Sequence, residues 1–452
     1  MRNIPITCLK YALICLLLCL LVLAPALAQD ETSLSLPTAE HDPAFAVEWM
    51  QTIYHLVKDE RVNVPSAARI YAYTGVTLYQ SVAFGIPEPI SFTDHFQEMP
   101  PMPLLDSTAV YDWPSVANGA LSVVTEALFF PEDEAALENT GASLATRQTI
   151  EGVVQKQILA RLRQANREIV ERSFAYGQQM GQVIADWATT DRYAQTRAMV
   201  YELPDPDNPA NWNLTTAGQT AMEPYWGMIR PFVLLNADQC AVPLDVPFDT
   251  DLDSTFYAQA MEVRDMLSTL TEDQQQIASF WDERPGESGT AAGHWVDVEN
   301  QLVDYLDLNL EEAATMYGLM GVVFQDSFIS TWSLKYQVNL LRPESYINTY
   351  VDPDWEPYRQ TPPFPAYPSG HSVLDGAVAE VLTALFDPLA YTDRYGVQYG
   401  LRARSYTSFE AAAYENAISR MYGGVHYRFD LENGLSQGRC VGQTIVETLL
   451  EN

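Results

Sequence analysis

Apolar residues recur at three- and four-residue spacing over long stretches of this 452-residue chain, at about 65–84, 113–128, 143–189, 254–282, 296–341, 371–387, 408–422 and 431–450. That period places one apolar stripe along a helix, whereas the two-residue alternation of a half-buried strand is nearly absent. Turn-rich connectors separate the stretches: 203–210, the Pro/Asp-rich 237–253, and 352–368 with its six prolines. The pattern predicts an all-α protein of two helical bundles with a seam near residue 245, so that 29–245 forms an N-terminal helical region and 246–452 a C-terminal one. No period of 20–50 residues repeats and no segment is of low complexity, which removes solenoids and disordered arrays.

The beginning of the chain changes the picture of where it works. Arg2 and Lys10 precede an uncharged apolar run from Tyr11 to Ala28, ending in Ala26-Leu27-Ala28 before Gln29-Asp30. Basic residues, an apolar stretch and a small-residue end make 1–28 a secretory signal peptide, with a secreted or periplasmic product expected. An uncleaved anchor is the alternative, since the run is just long enough to span a bilayer. No other run is long enough, so no membrane attachment is expected after cleavage. Three cysteines lie in the signal, leaving Cys240 and Cys440, which can pair in an oxidising compartment or stay two buried thiols.

Charge excludes one class of partner and draws attention to the rest. With 59 acidic against 25 basic residues, a net −34, bulk charge repels nucleic acid and anionic lipid. Bases are scarce, so several near histidines require a reason. Lys335 and Arg342 are seven residues apart, about two helical turns, and stop at Pro343. In 364–371, Phe-Pro-Ala-Tyr-Pro-Ser-Gly-His, a Pro/Gly turn leads into an apolar helical run, leaving backbone N–H groups unpaired at the positive end of the helix. Ser369 adds a hydroxyl, Gly370 exposes its bare backbone, and His371 can exchange a proton. Finally Arg420 and His426 flank a Gly-Gly break, with Asp430 one turn beyond the histidine, where a carboxylate fixes its tautomer.

Each segment alone has an ordinary reading: two bases on a solvated helix face, a capping serine, a structural histidine beside an aspartate. Together they supply guanidinium forks, an ammonium, backbone donors and an imidazole on each side, the donor set that a tetrahedral oxyanion needs.

Lys335-x6-Arg342-Pro343, then Pro368-Ser369-Gly370-His371, then Ser419-Arg420-x5-His426-x3-Asp430 resemble the three-part signature of the type 2 phosphatidic acid phosphatase and vanadium-dependent haloperoxidase superfamily. The signature occupies about 335–430. The resemblance implies that His426 bonds the central atom, as axial ligand to vanadium or as the nucleophile that becomes phosphohistidine. It further implies that Lys335, Arg342 and Arg420, with Ser369 and the Gly370 N–H, hold the equatorial oxygens. Lys335 would also polarise the oxidant, and His371 would be the acid–base partner on the opposite side. The strings 362–371 and 424–430 resemble the soluble haloperoxidases more than the membrane phosphatases. By that likeness Phe364 and Trp332 would line a halide site, in a bundle protein whose active site lies in the C-terminal half. An acid that pairs with the third-motif arginine is expected at Asp282 or Glu283, and His294 is a candidate to reach the pocket or a structural histidine. The function so implied is vanadate-dependent oxidation of halide by hydrogen peroxide to hypohalous acid, which reacts with a small organic acceptor. Phosphate can occupy the same site, so a soluble acid phosphatase is the alternative, and a helical binding protein without turnover is a third reading.

Overall fold

The computed structural model describes residues 35–131, 142–205 and 207–451, so the expected signal segment 1–28 lies outside the described residues. Within them the regular secondary structure is helical apart from one two-stranded antiparallel ribbon, Tyr391–Asp393 with Arg404–Tyr406, and two isolated bridges. The longer helices are α1 (Ala44–Asp59), α2 (Val64–Val82), α3 (Trp113–Phe129), α4 (Leu144–Arg161), α5 (Arg167–Thr189), α6 (Thr255–Ser268) and α7 (Glu272–Phe280). They continue with α8 (Thr290–Tyr305), α9 (Leu310–Val338), α10 (Pro343–Tyr350), α11 (Gly370–Phe386), α12 (Phe409–Tyr422) and α13 (Arg428–Leu449). None of the described helices is long and apolar enough to cross a membrane.

Helix breaks fall where a side chain can take over the orphaned N–H groups of a new first turn. The expected 143–189 helix divides because the Asn166 side chain accepts from the Glu168 N–H. The 254–282 stretch divides at Thr271, which forms a capping box with Gln274, and 296–341 divides at Asn309, which forms one with Glu312. Helix α1 was not expected, although Phe45, Trp49, Met50, Ile53, Leu56 and Val57 lie on one buried face.

Helix α9 organises the molecule. It is apolar around most of its circumference and buried over most of its length, as a helix with partners on every side must be. It packs on α2 to one side and on α11 and α13 to the other, and a continuous hydrophobic core runs through both. Helices α11 and α13 approach so closely that a Cβ on Gly438 would stand 2.2 Å from the Val373 carbonyl, and one on Gly376 2.7 Å from that of Leu435. Only bare backbone fits there, and the contact brings the start of α11 against the start of α13, where the Ser369 N–H donates to the Asp430 carbonyl at 3.0 Å. Cys240 and Cys440 are joined by a disulfide, tying the connector before α6 to α13 across 200 residues.

Candidate active site

Three buried bases arrive from three elements. Lys335 lies in the last turn of α9, which ends at Asn339 in the left-handed conformation (φ 50°). Arg342 directly precedes α10, whose first residue is Pro343, and Arg420 lies in the last turn of α12. All three donate to backbone carbonyls rather than to carboxylates. Lys335 Nζ reaches Pro365 O at 3.0 Å and Ala366 O at 2.8 Å, and also Pro368 O. Arg342 reaches Phe364 O at 2.9 Å and Val425 O at 2.7 Å, and Arg420 reaches Trp281 O at 2.7 Å. Two further guanidinium nitrogens, Arg342 Nη2 and Arg420 Nε, are buried without a hydrogen-bond partner among the described residues. Burial, reinforced by Arg342, pushes the Lys335 ammonium well below its usual pKa, and burial brings Arg342 down to about 9. Desolvated cations with spare donors and no hydrogen-bonded carboxylate, although Asp430, Asp282 and Glu283 act on them from farther off, are a receptor for an anion.

His426 stands against this cluster. Its Nδ1 is 2.8 Å from Asp430 Oδ2 and its Nε2 3.0 Å from Arg342 Nη1. A guanidinium can only donate, so Nε2 is the acceptor and Nδ1 carries the proton given to Asp430. Burial and then the charges of Arg342, Lys335 and Arg420 hold the ring well below its ordinary pKa, that is, neutral. Burial pushes Asp430 up to about 7, against the pull of Lys335. The Nε2 lone pair thus points among the cations, with the tautomer fixed from behind.

His371 is on the other wall, one residue into α11, and Ser369 is the helix N-cap with its side chain accepting from Ser372 N–H. His371 Nε2 is 3.0 Å from Glu283 Oε2, and its ring is about one-fifth exposed to the cavity. Burial and then Arg420 lower its pKa, and Glu283 works the other way. A Cβ on Gly370 would lie 3.6 Å from the Trp332 ring and 4.0 Å from Lys335 Cε, so this residue borders the cation cluster directly.

A cavity of about 280 Å³ opens onto these groups. Trp332 and Phe364 line it with ring centroids 5.1 Å apart, and Phe364 stands 5.2 Å from Lys335 Nζ and 5.0 Å from Arg342 Cζ. The opposite rim is charged: Asp282 pairs with Arg284 at 2.5 Å and Arg359 at 3.5 Å, and adds to the field on Arg420 without a direct hydrogen bond to it. Val64, Gln219 and Met222 come from the N-terminal half, where no motif pointed to the site. His294 does not line the cavity. It is fully buried behind Glu283.

The chain is 32% identical to the first bacterial vanadium-dependent iodoperoxidase of solved structure, with a TM-score of 0.81 over 91% of this chain and 97% of that one. The chain belongs to the vanadium-dependent haloperoxidase family. The model of the second helical-bundle domain of vanadium chloroperoxidase matches residues 348–451, which hold Ser369, Gly370, His371, Arg420 and His426. Vanadium chloroperoxidase of Curvularia inaequalis is 28% identical over 27% of this chain, and the match spans 29% of that protein's length. The holo form of a bacterial vanadium-dependent chloroperoxidase shares the haloperoxidase fold at a TM-score of 0.66, covering 88% of this chain and 94% of its own at 13% identity.

Proposed function

We propose that this protein is a vanadate-dependent haloperoxidase that oxidises halide with hydrogen peroxide to hypohalous acid. The observation that carries the reading is the set of three buried bases without carboxylate partners around a neutral histidine, with Arg342 Nη2 and Arg420 Nε left unpaired. An oxyanion of the size and charge of vanadate fits that donor set. Phosphate, of the same shape, would occupy it too. When bound, vanadate supplies a Lewis-acidic centre that activates hydrogen peroxide without a change of oxidation state.

The chain's own groups divide the remaining work. His426 Nε2 offers its lone pair to the metal while Asp430 keeps the proton on Nδ1. Lys335, Arg342 and Arg420 neutralise oxygens, with the N-terminal end of α11 around Ser369 and Gly370 adding dipole and donors, and Lys335 is placed to polarise the oxidant. His371, held by Glu283, moves the proton that the oxidation consumes. Trp332 and Phe364 form an apolar wall that strips water from a large halide. Iodide is the first halide to try, since the 32% identical relative is an iodoperoxidase. The proposal includes an exported protein cleaved near Ala28, and the Cys240–Cys440 disulfide supports an oxidising compartment.

The test is a pair of assays on metal-stripped protein: halogenation of a dye with peroxide and iodide or bromide, with and without vanadate, beside hydrolysis of an aryl phosphate. Vanadate-dependent halogenation is expected. Brisk phosphate hydrolysis inhibited by vanadate, with no halogenation for any halide, would make it a phosphatase with His426 as nucleophile.

A further inference from the structure

Behind His371 runs a chain of charged side chains that anion binding does not require. Glu283 uses one oxygen for His371 Nε2 at 3.0 Å and the other for His294 Nδ1 at 2.7 Å. The remaining nitrogen of His294 is 2.7 Å from Asp393 Oδ2. Glu283, His294 and Asp393 have side chains no more than 1% exposed. An imidazole facing a carboxylate on both nitrogens donates to both only as the imidazolium, because the neutral ring would turn a lone pair on one of them. The ring is also clamped: Tyr395 stacks on one face at 3.8 Å and Trp281 at 4.5 Å, while the Tyr395 N–H donates to Asp393 Oδ1 at 2.8 Å. A buried charged chain stabilises a fold no better than apolar packing of the same volume, so its presence calls for a role.

We propose that His294 is a positioning residue for the oxidation: a permanent imidazolium between Glu283 and Asp393 that aims Glu283 at His371 Nε2 and leaves His371 Nδ1 to exchange protons with the pocket. This rests on the haloperoxidase reading for its consequence, not for its geometry. Burial pulls the His294 pKa down, but Asp393 and Glu283 raise it to about 10. Burial pushes Glu283 up, yet the hydrogen bonds from His294 and His371 outweigh it and keep the carboxylate ionised. The other carboxyls that feel this ring are Asp297 on its own helix and Asp375 on α11, both pushed up by burial. Without the cation, Glu283 and Asp393 become two buried like charges, and Glu283 takes a proton or turns away from His371.

The experiment compares wild-type protein with His294→Gln, which is uncharged and has a single nitrogen where the ring sets one against each carboxylate, and with Asp393→Asn as the milder second variant. In metal-free wild-type protein, ¹⁵N-edited NMR should show His294 with both ring N–H protons from pH 5 to 8. In His294→Gln, kcat should fall by about 10–100-fold while the KM for iodide and the Kd for orthovanadate, read by calorimetric titration, change by less than about 3-fold. Asp393→Asn should move kcat in the same direction by less, and serves if His294→Gln does not fold. A neutral His294 ring in the NMR experiment overturns the proposal. So does a folded variant with kcat within about 2-fold of wild type, or one that loses kcat and vanadate affinity together as its melting temperature falls. Wild-type protein that binds no vanadate would refute the haloperoxidase reading, while the NMR result would still decide whether His294 is a fixed cation.

Discussion

The two walls of the cavity treat charge in opposite ways. On the His426 side, Lys335, Arg342 and Arg420 are buried with carbonyls for company and spare donors left over. On the His371 side, each histidine has a carboxylate and each carboxylate a histidine, through Glu283, His294 and Asp393. Both arrangements desolvate charge, but only in the second does every charged group hydrogen-bond an opposite one, whereas Asp430, Asp282 and Glu283 reach the three bases of the first only through space. The difference fits the proposed division of labour, in which the cation-rich wall would be completed by an anion from outside and the carboxylate-paired wall would hold His371 in place.

The largest effect is expected when the protein supplies its own anion to the first wall. Gly370→Asp would put a carboxylate at the start of α11 beside Lys335, in space that a Cβ meets only at ordinary contact distances. Orthovanadate affinity should drop by about 10³-fold, the effect of several kcal/mol of like-charge repulsion. The metal-free variant should melt higher than wild type, by about 1 kcal/mol of added stability. Calorimetric titration and thermal denaturation check both signs. Next in size, His371→Ala should lower kcat by about 10²-fold while the vanadate Kd moves by less than about 10-fold, since proton transfer and not binding is removed.

Stability against pH sharpens the comparison further, because the two histidines depart from 6.5 in opposite directions. His294, raised to about 10, stays protonated in the fold after the unfolded chain has lost its proton. Its contribution is complete below pH 6.5 and is lost as pH rises toward 10, with a slope of up to about 1.4 kcal/mol per pH unit. His426, held neutral, takes up its proton more readily in the unfolded chain, so stability falls as pH drops below 6.5. In denaturant unfolding of metal-free protein from pH 5 to 10, where Lys335, Arg342 and Asp430 add slopes of opposite sign, stability should fall less with rising pH in His294→Gln than in wild type, and less with falling pH in His426→Gln. The smallest effect is expected from Trp332→Phe, which removes the hydrogen bond to Met222 O at 3.2 Å but keeps an aromatic wall. The KM for iodide should rise by about 2–5-fold, a loss of about 1 kcal/mol, with the vanadate Kd unchanged.

Much of the first wall was legible in the sequence, because its residues sit at fixed spacings within short segments: Lys335 to Arg342, Ser369 to His371, Arg420 to Asp430. Helical periodicity likewise announced most of the helices, and it overran only where a single Asn or Thr cap restarts the ladder, as at Asn166, Thr271 and Asn309. The second wall was hidden because its partners are remote. His294 and Asp393 stand 99 residues apart and meet through a two-stranded ribbon too short for a periodic signal. Asp282 and Glu283 were both candidates for the acid near Arg420. The geometry divides their duties, Asp282 to the arginines of the rim and Glu283 to the two histidines. Met222 and Val64 reach the cavity from the N-terminal half, Met222 with its carbonyl on Trp332 and its N–H on the Pro363 carbonyl, contacts that no local motif records.

The most direct measurement is calorimetric titration of metal-free protein with orthovanadate, wild type beside His426→Ala. Wild-type protein should bind one vanadate per chain, and the variant should bind more than about 100-fold more weakly, beyond the loss that follows removal of an outer partner of a ligand. Equal affinity in the two proteins, or no binding in wild type, would contradict the assignment of the cation-rich wall as the vanadate site.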